Sequence, residues 1–156
     1  MKNYIILFFA LISIASFTSC EKEDPFVDRV VAPVLVVLKS DAGAKTDGFT
    51  TDPTVSSSFS IEKTKVGIEL YELDKTGILD NKVGIKNIPA PSVPLSLKIR
   101  GGNEIAKLTT GADGVAMIEV PWSTLGISAK GKSVSLELSG TYKEVSFTKL
   151  FKLSSN

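Results

Sequence analysis

From residue 66 onward, apolar side chains return at every second position, and that period decides what the chain can fold into. In "KVGIELYEL" Val66, Ile68 and Leu70 alternate with Gly67 and Glu69, and "VPLSLKIRGG" repeats the pattern with Val93, Leu95, Leu97 and Ile99. "NEIAKLTT" sets Ala106 and Leu108 opposite Lys107. "GVAMIEVP" puts Ala116, Ile118 and Val120 on one side before Pro121, which has no N–H to offer a ladder. "SVSLELSG" alternates Val134, Leu136 and Leu138, while "KEVSFTKLFKLS" offers Val145, Phe147 and Phe151. Successive strand residues point to opposite faces, so these six segments predict antiparallel strands with one buried face each.

The joints carry turn chemistry. "RGGN" at 100 to 103 and "GADG" at 111 to 114 supply glycines that accept positive φ, and Asp113 can cap its own turn. Short strands spaced by roughly 8 to 12 residues predict an all-β sandwich or barrel. Upstream, "RVVAPVLVVLKS" reads as a further strand with Pro33 at an edge or bulge, and "SSFSIEK" as a weak one. Between them "DAGAKTDGFTTDPTVSS", residues 41 to 57, is polar and glycine-rich and reads as a long surface loop. No helix is expected beyond one short turn at "PWSTLGI", with Trp122 packed down on the sandwich.

The run "VPLSLKIRGGNEIAKLTTGADGVAMIEVP" resembles the middle of a bacterial immunoglobulin-like domain of the invasin/intimin type, with Thr109, Thr110, Asp113 and Gly114 at the Thr-Thr and Asp-Gly places. Transthyretin-like and carboxypeptidase-regulatory modules carry a similar Thr-x-x-Asp-Gly turn. The resemblance covers about residues 64 to 153 and implies an antiparallel Ig-like β-sandwich of about seven strands. In it, "IELYELDKTGILDNKVGIKNIPAPSVP" would be the first strand and a long connection. The segment before residue 64 has no place in one such repeat.

The N-terminus has a different character. After Lys2, "YIILFFALISIASF" is largely apolar for fourteen residues and ends just before the chain's single cysteine, Cys20. A positive start and a short apolar core are a signal-peptide layout, since a spanning helix needs roughly 20 apolar residues. "FTSC" resembles a bacterial lipobox, with Phe17 in place of the commonest leucine and Ser19 in place of glycine or alanine. The resemblance implies cleavage before Cys20, diacylglycerol on its sulfur, and a membrane partner. Lys22, Glu23 and Asp24 resemble the lysine-then-two-acids export signal of Bacteroidota surface lipoproteins, which implies the outer face of the outer membrane; the periplasmic face is the alternative. The expected organisation is a leader at 1–19, an acidic tether at 20–28 and an Ig-like domain at 29–156. With one thiol, no intramolecular disulfide can form, so the exported domain must be held by its core.

Charge and residue usage remove several function classes. The chain has 18 Lys plus Arg and 17 Asp plus Glu, a balance unlike the basic excess of nucleic-acid binders, so no nucleic-acid partner is expected. Residues 20 to 80 carry 12 acids against 7 bases and residues 81 to 156 carry 5 against 10. There is no histidine, and the lone cysteine is assigned to lipid, which excludes Ser-His-Asp, Cys-His and histidine-ligated metal sites. A carboxylate pair remains chemically open, but Glu69, Glu119 and Glu137 stand at outward-alternating places and Asp74, Asp80 and Asp113 in turns. Asp47 and Asp52 in "TDGFTTDP" are two loop carboxylates, better read as turn residues than as calcium ligands. We therefore expect no catalytic residues, no metal and no cofactor.

Trp122, Tyr71 and Tyr142 are the aromatics able to meet a sugar while keeping a polar handle wetted. Two functions follow. One is a lipid-anchored, non-catalytic adhesion or ligand-binding module for a glycan or protein, its binding carried by the loop at 41–57. The other is an accessory or structural subunit of an outer-membrane complex with no ligand of its own.

Overall fold

A computed structural model of the chain describes residues 32–156. The leader expected at 1–19, the tether expected at 20–28, and Cys20, Lys22, Glu23 and Asp24 lie outside the described residues, as do the first residues of the strand expected at "RVVAPVLVVLKS". Nine strands are present among the described residues: β1 Leu35–Lys39, β2 Thr54–Ser57, β3 Val66–Gly77, β4 Gly84–Pro89, β5 Pro94–Ile99, β6 Glu104–Thr109, β7 Val115–Ile118, β8 Ser133–Tyr142 and β9 Val145–Ser155. They form a two-sheet β-sandwich. One sheet is ordered β1-β3-β4 with β7 also on β3, and the other is ordered β2-β9-β8-β5-β6.

The period-two pattern is what the core uses. Val66, Ile68 and Leu70 from β3 meet Leu97 of β5, Leu136 and Leu138 of β8, and Phe151 and Leu153 of β9, all at 0 % exposure. Burying each such side chain stabilises the fold by about 1.5–3 kcal/mol before chain entropy is counted. A short 3-10 turn, Trp122–Leu125, closes one side, and Gly126 ends it in the left-handed region at φ 69. The Trp122 ring lies 5.6 Å from Phe59, and its indole N–H donates to the Ile61 carbonyl at 3.1 Å.

The Thr-Thr and Asp-Gly motifs have separate jobs. The Thr110 hydroxyl donates to the Ala90 carbonyl and accepts from the Val93 N–H, each at 2.8 Å, stapling the β4–β5 connection to the end of β6. Gly114 sits where β4 and β7 meet along one edge of β3, because β1 occupies the opposite edge over Gly67–Tyr71. A Cβ there would lie 2.7 Å from the Leu70 carbonyl oxygen and 2.9 Å from the Ala90 nitrogen, at φ +73. Only glycine takes that backbone conformation without a clash.

Four expectations are corrected. The strands number nine rather than about seven. "GIKNIP", read as part of a long connection, is β4, and its residues are exposed apart from half-buried Gly84, so it shows no one-sided alternation. "SSFSIEK" is not a strand; the strand is "TVSS", the last four residues of the expected loop, and it pairs parallel to β9, the exception in an otherwise antiparallel ladder set. Val145 is 39 % exposed, because it lies beside the β8–β9 turn, where the core has run out.

Candidate functional site

Residues 40–53 run from β1 to β2 as a strap that crosses from one sheet to the other. Its first part folds back on β1: the Thr46 N–H donates to the Leu38 carbonyl, and the Leu38 N–H to the Thr46 hydroxyl at 3.0 Å. Gly48 then lies against Leu35 and Val37, where a Cβ would come within 2.6 Å of the leucine. At the far side, the Lys149 ammonium of β9 donates to the Gly48 and Thr50 carbonyls at 2.9 and 2.6 Å. Partial burial pushes the Lys149 pKa down from its ordinary value, against the pull of nearby Asp47.

This strap explains why Glu69 is buried although the alternation turns it outward. Position 69 does point away from the core, but the strap covers that face and leaves the residue only 7 % exposed. Its carboxylate accepts from Lys45 Nζ at 2.7 Å and from the Tyr71 hydroxyl at 2.9 Å. Burial alone would raise this carboxyl, but the hydrogen bonds from Lys45 and Tyr71 and the charges of Lys45 and Lys39 outweigh it, so it lies below the usual glutamate value. The same bond pushes the Tyr71 phenol up. Glu72 is handled alike, accepting from the Tyr142 hydroxyl at 2.9 Å and from Lys143 Nζ at 2.7 Å. Each of these carboxylates therefore holds two structural donors.

The other acids of interest are also engaged. Asp47 accepts from the Phe49 and Thr50 N–H groups and from the Thr50 hydroxyl, which hold its carboxyl below the usual aspartate range. Asp52 forms a 3.5 Å ion pair with Arg100. Among the described residues no three of His, Cys, Asp and Glu gather to hold a metal ion. Trp122, a candidate sugar contact in the sequence, is 5 % exposed with its N–H already spent, and so offers no surface to a ligand. Tyr71 and Tyr142 are half-buried, their hydroxyls committed to Glu69 and Glu72.

What the structure assembles instead is a hydroxyl-lined face. Ser96 of β5 stands beside Ser139 of β8, and that beside Thr148 of β9; the next row brings Thr141 beside Ser146, with Thr109 of β6 beside Pro94. These positions alternate with the core-facing Leu95, Leu97, Leu138 and Phe147, so the hydroxyls lie on the outer surface of the five-stranded sheet, beside Lys107. Together with Lys107 they line a shallow depression of ≈ 520 Å³, and the Ser96 hydroxyl donates to the Glu104 carboxylate beside it. Thr148 also borders a smaller groove of ≈ 210 Å³ against Gly48 and Thr51, so the strap and this face meet across β9. There β2 covers only Lys152–Ser155, leaving the earlier part of that edge of β9 without a strand partner. Phe49, at the outer turn of the strap, is 74 % exposed.

Cross-strand hydroxyl rows were legible in outline, since Ser96, Ser139, Thr141, Ser146 and Thr148 occupy the polar phase of their strands. Which rows become neighbours depends on register, and register is set by pairing between distant segments. Comparison with protein-family models, with curated proteins and with solved structures finds no match to this chain.

Proposed function

We propose that the chain is a lipid-anchored lipoprotein of the outer membrane, displayed on the cell surface, whose immunoglobulin-like sandwich is a non-catalytic module holding a glycan or protein partner. The anchor reading is supported by the sequence "FTSC" with Cys20 at its end, and the surface reading by Lys22, Glu23 and Asp24. The binding reading is carried by the hydroxyl-lined depression of ≈ 520 Å³ on the outer surface of the five-stranded sheet. Ser96 donates to the Glu104 carboxylate, and the remaining hydroxyls, with Lys107 beside them, suit a hydroxyl-rich ligand. Phe49, exposed on the strap, is an apolar ring that a partner can cover.

Two experiments test this. Protease shaving of intact cells, with a Cys20→Ala control, reads anchoring and exposure together: survival of the protein on unpermeabilised cells sinks the surface claim, and unchanged membrane association of the Cys20→Ala form sinks the anchor. A glycan array probed with residues 21–156 reads the face. Binding should fall at least tenfold in a Ser139→Lys/Thr148→Lys variant with an unchanged melting temperature. A domain that binds nothing alone but co-purifies with a membrane assembly turns the assignment to the accessory subunit.

A further inference from the structure

The second half of β3 leaves the sandwich. β1 ends opposite Tyr71 and β7 opposite Glu69, so beyond Tyr71 the strand pairs in its sheet with β4 alone. The resulting hairpin is an arm, tied to the opposite sheet where Glu72 meets Tyr142 and Lys143. Its end carries Leu79 at 99 % exposure and Ile78 at 55 %, followed by Val83, Ile85 and Ile88 at 43–47 %. Ile85 and Ile88 point to opposite faces of β4, so they do not extend one patch, but two adjacent aliphatics standing exposed at the tip of a hairpin are a feature with a use. The tip is locally built: the Asp80 N–H donates to the Gly77 carbonyl, the Val83 and Gly84 N–H groups to the Asp80 carbonyl, and the Lys82 N–H to the Asp80 carboxylate. Those bonds hold Ile78 and Leu79 outward.

We propose that this arm seats its Ile78–Leu79 tip in a lipid bilayer. Three observations select lipid. First, β1 runs antiparallel to β3 with Leu35 opposite Tyr71, so the chain enters the sandwich at the arm's end of the molecule. Cys20 lies 12 residues before Ala32, the first described residue. Second, those residues reach about 40 Å when extended, whereas the arm from Tyr71 to Leu79 measures about 25 Å at strand rise, so the tip can touch the surface that holds the tether. Third, the arm carries Lys75, Lys82 and Lys86 against Asp74 and Asp80, with Glu72 paired to Lys143, a near-neutral balance that suits a zwitterionic lipid surface. Two aliphatic side chains bind a bilayer weakly by themselves, but a short tether raises their effective concentration to the order of millimolar. The inference rests on the lipid anchor proposed above only for its membrane, and its test supplies that anchor chemically.

Residues 20–156 are coupled through the Cys20 thiol to a maleimide lipid in phosphatidylcholine vesicles, and Leu79→Trp is read by quenching with brominated lipids. Trp122, the chain's single tryptophan, is buried in the core and gives the unquenched background. Trp at position 79 should be blue-shifted and quenched about twofold or more, as for a side chain in the acyl boundary. Phe49→Trp, on the exposed strap, should not be. Ile78→Trp repeats the test should the first variant melt early. Equal quenching at positions 79 and 49, or none at either tip position in folded protein, overturns the proposal. These outcomes are independent of whether cells lipidate Cys20, which the shaving experiment decides.

Discussion

The two halves of β3 are one continuous strand with opposite fates. Val66, Gly67, Ile68, Glu69 and Leu70 are all buried, while Tyr71–Gly77 contains no buried residue. Composition does not explain this, since Tyr71, Leu73 and Thr76 are as strand-compatible as the residues before them. Coverage does. The first half has β1 on one edge, β7 on the other, the second sheet beneath and the strap above. The second half has β4 and the small contact with the β8–β9 turn. A β-strand is thus buried by its neighbours, and the same alternation serves as core in one half and as an outward-facing arm in the other.

The difference can be broken most strongly from the inside. Ile68→Ala removes a side chain at 0 % exposure and should lower unfolding free energy by about 2–5 kcal/mol, read as a shifted urea midpoint at unchanged slope. Gly114→Ala attacks the splice where β7 gives way to β4. With a Cβ 2.7 Å from the Leu70 carbonyl and φ at +73, it should cost about 1–3 kcal/mol and speed hydrogen exchange at the Leu70 and Ala90 amides.

Lys45→Met probes the strap side of the buried half. The Glu69 carboxyl is depressed in the folded protein, so its contribution is present above the unfolded glutamate pKa and is lost as pH falls through the lower folded value. Without Lys45 the carboxyl loses its largest lowering partner and moves up toward or past the ordinary glutamate value. The variant should therefore be less stable than the parent at neutral pH, with the gap closing as pH falls from the variant's higher folded pKa through the parent's depressed one; a gap constant with pH would mean that Lys45 acts only by packing. Leu79→Ala should be the quietest of all, changing stability by less than about 0.5 kcal/mol, because the side chain loses no burial. A cost comparable to that of Ile68→Ala would show that the arm packs against the sandwich in solution.

Much of the sandwich was legible in the residues, for identifiable reasons. Alternation located β3, β5, β6, β7, β8 and β9 because each turns side chains toward the core, and the glycine turns marked the ends of several. It could not locate β4, whose two faces are both open, or β2, four residues held by parallel pairing to a strand about a hundred positions away. The candidate site was less legible still. Ser96, Ser139 and Thr148 are unremarkable polar residues until register aligns them, and Trp122, the most ligand-like residue of the chain, is consumed by Phe59 and the Ile61 carbonyl.

By itself the sequence determined that this chain makes an all-β sandwich or barrel, because a period of two with turn residues between leaves burial of one strand face as the way to remove so many aliphatic side chains from water. The two separate sheets are a tertiary outcome. Tertiary structure alone decided which outward faces stay wet. Whether Glu69 is solvated or sealed beneath Lys45, and whether the aliphatics of "GILDNKVGI" enter a core or stand free on an arm, depends on what distant segments lay over them. Burial is a property of neighbours in space, and one-dimensional periodicity records only the face a residue points to.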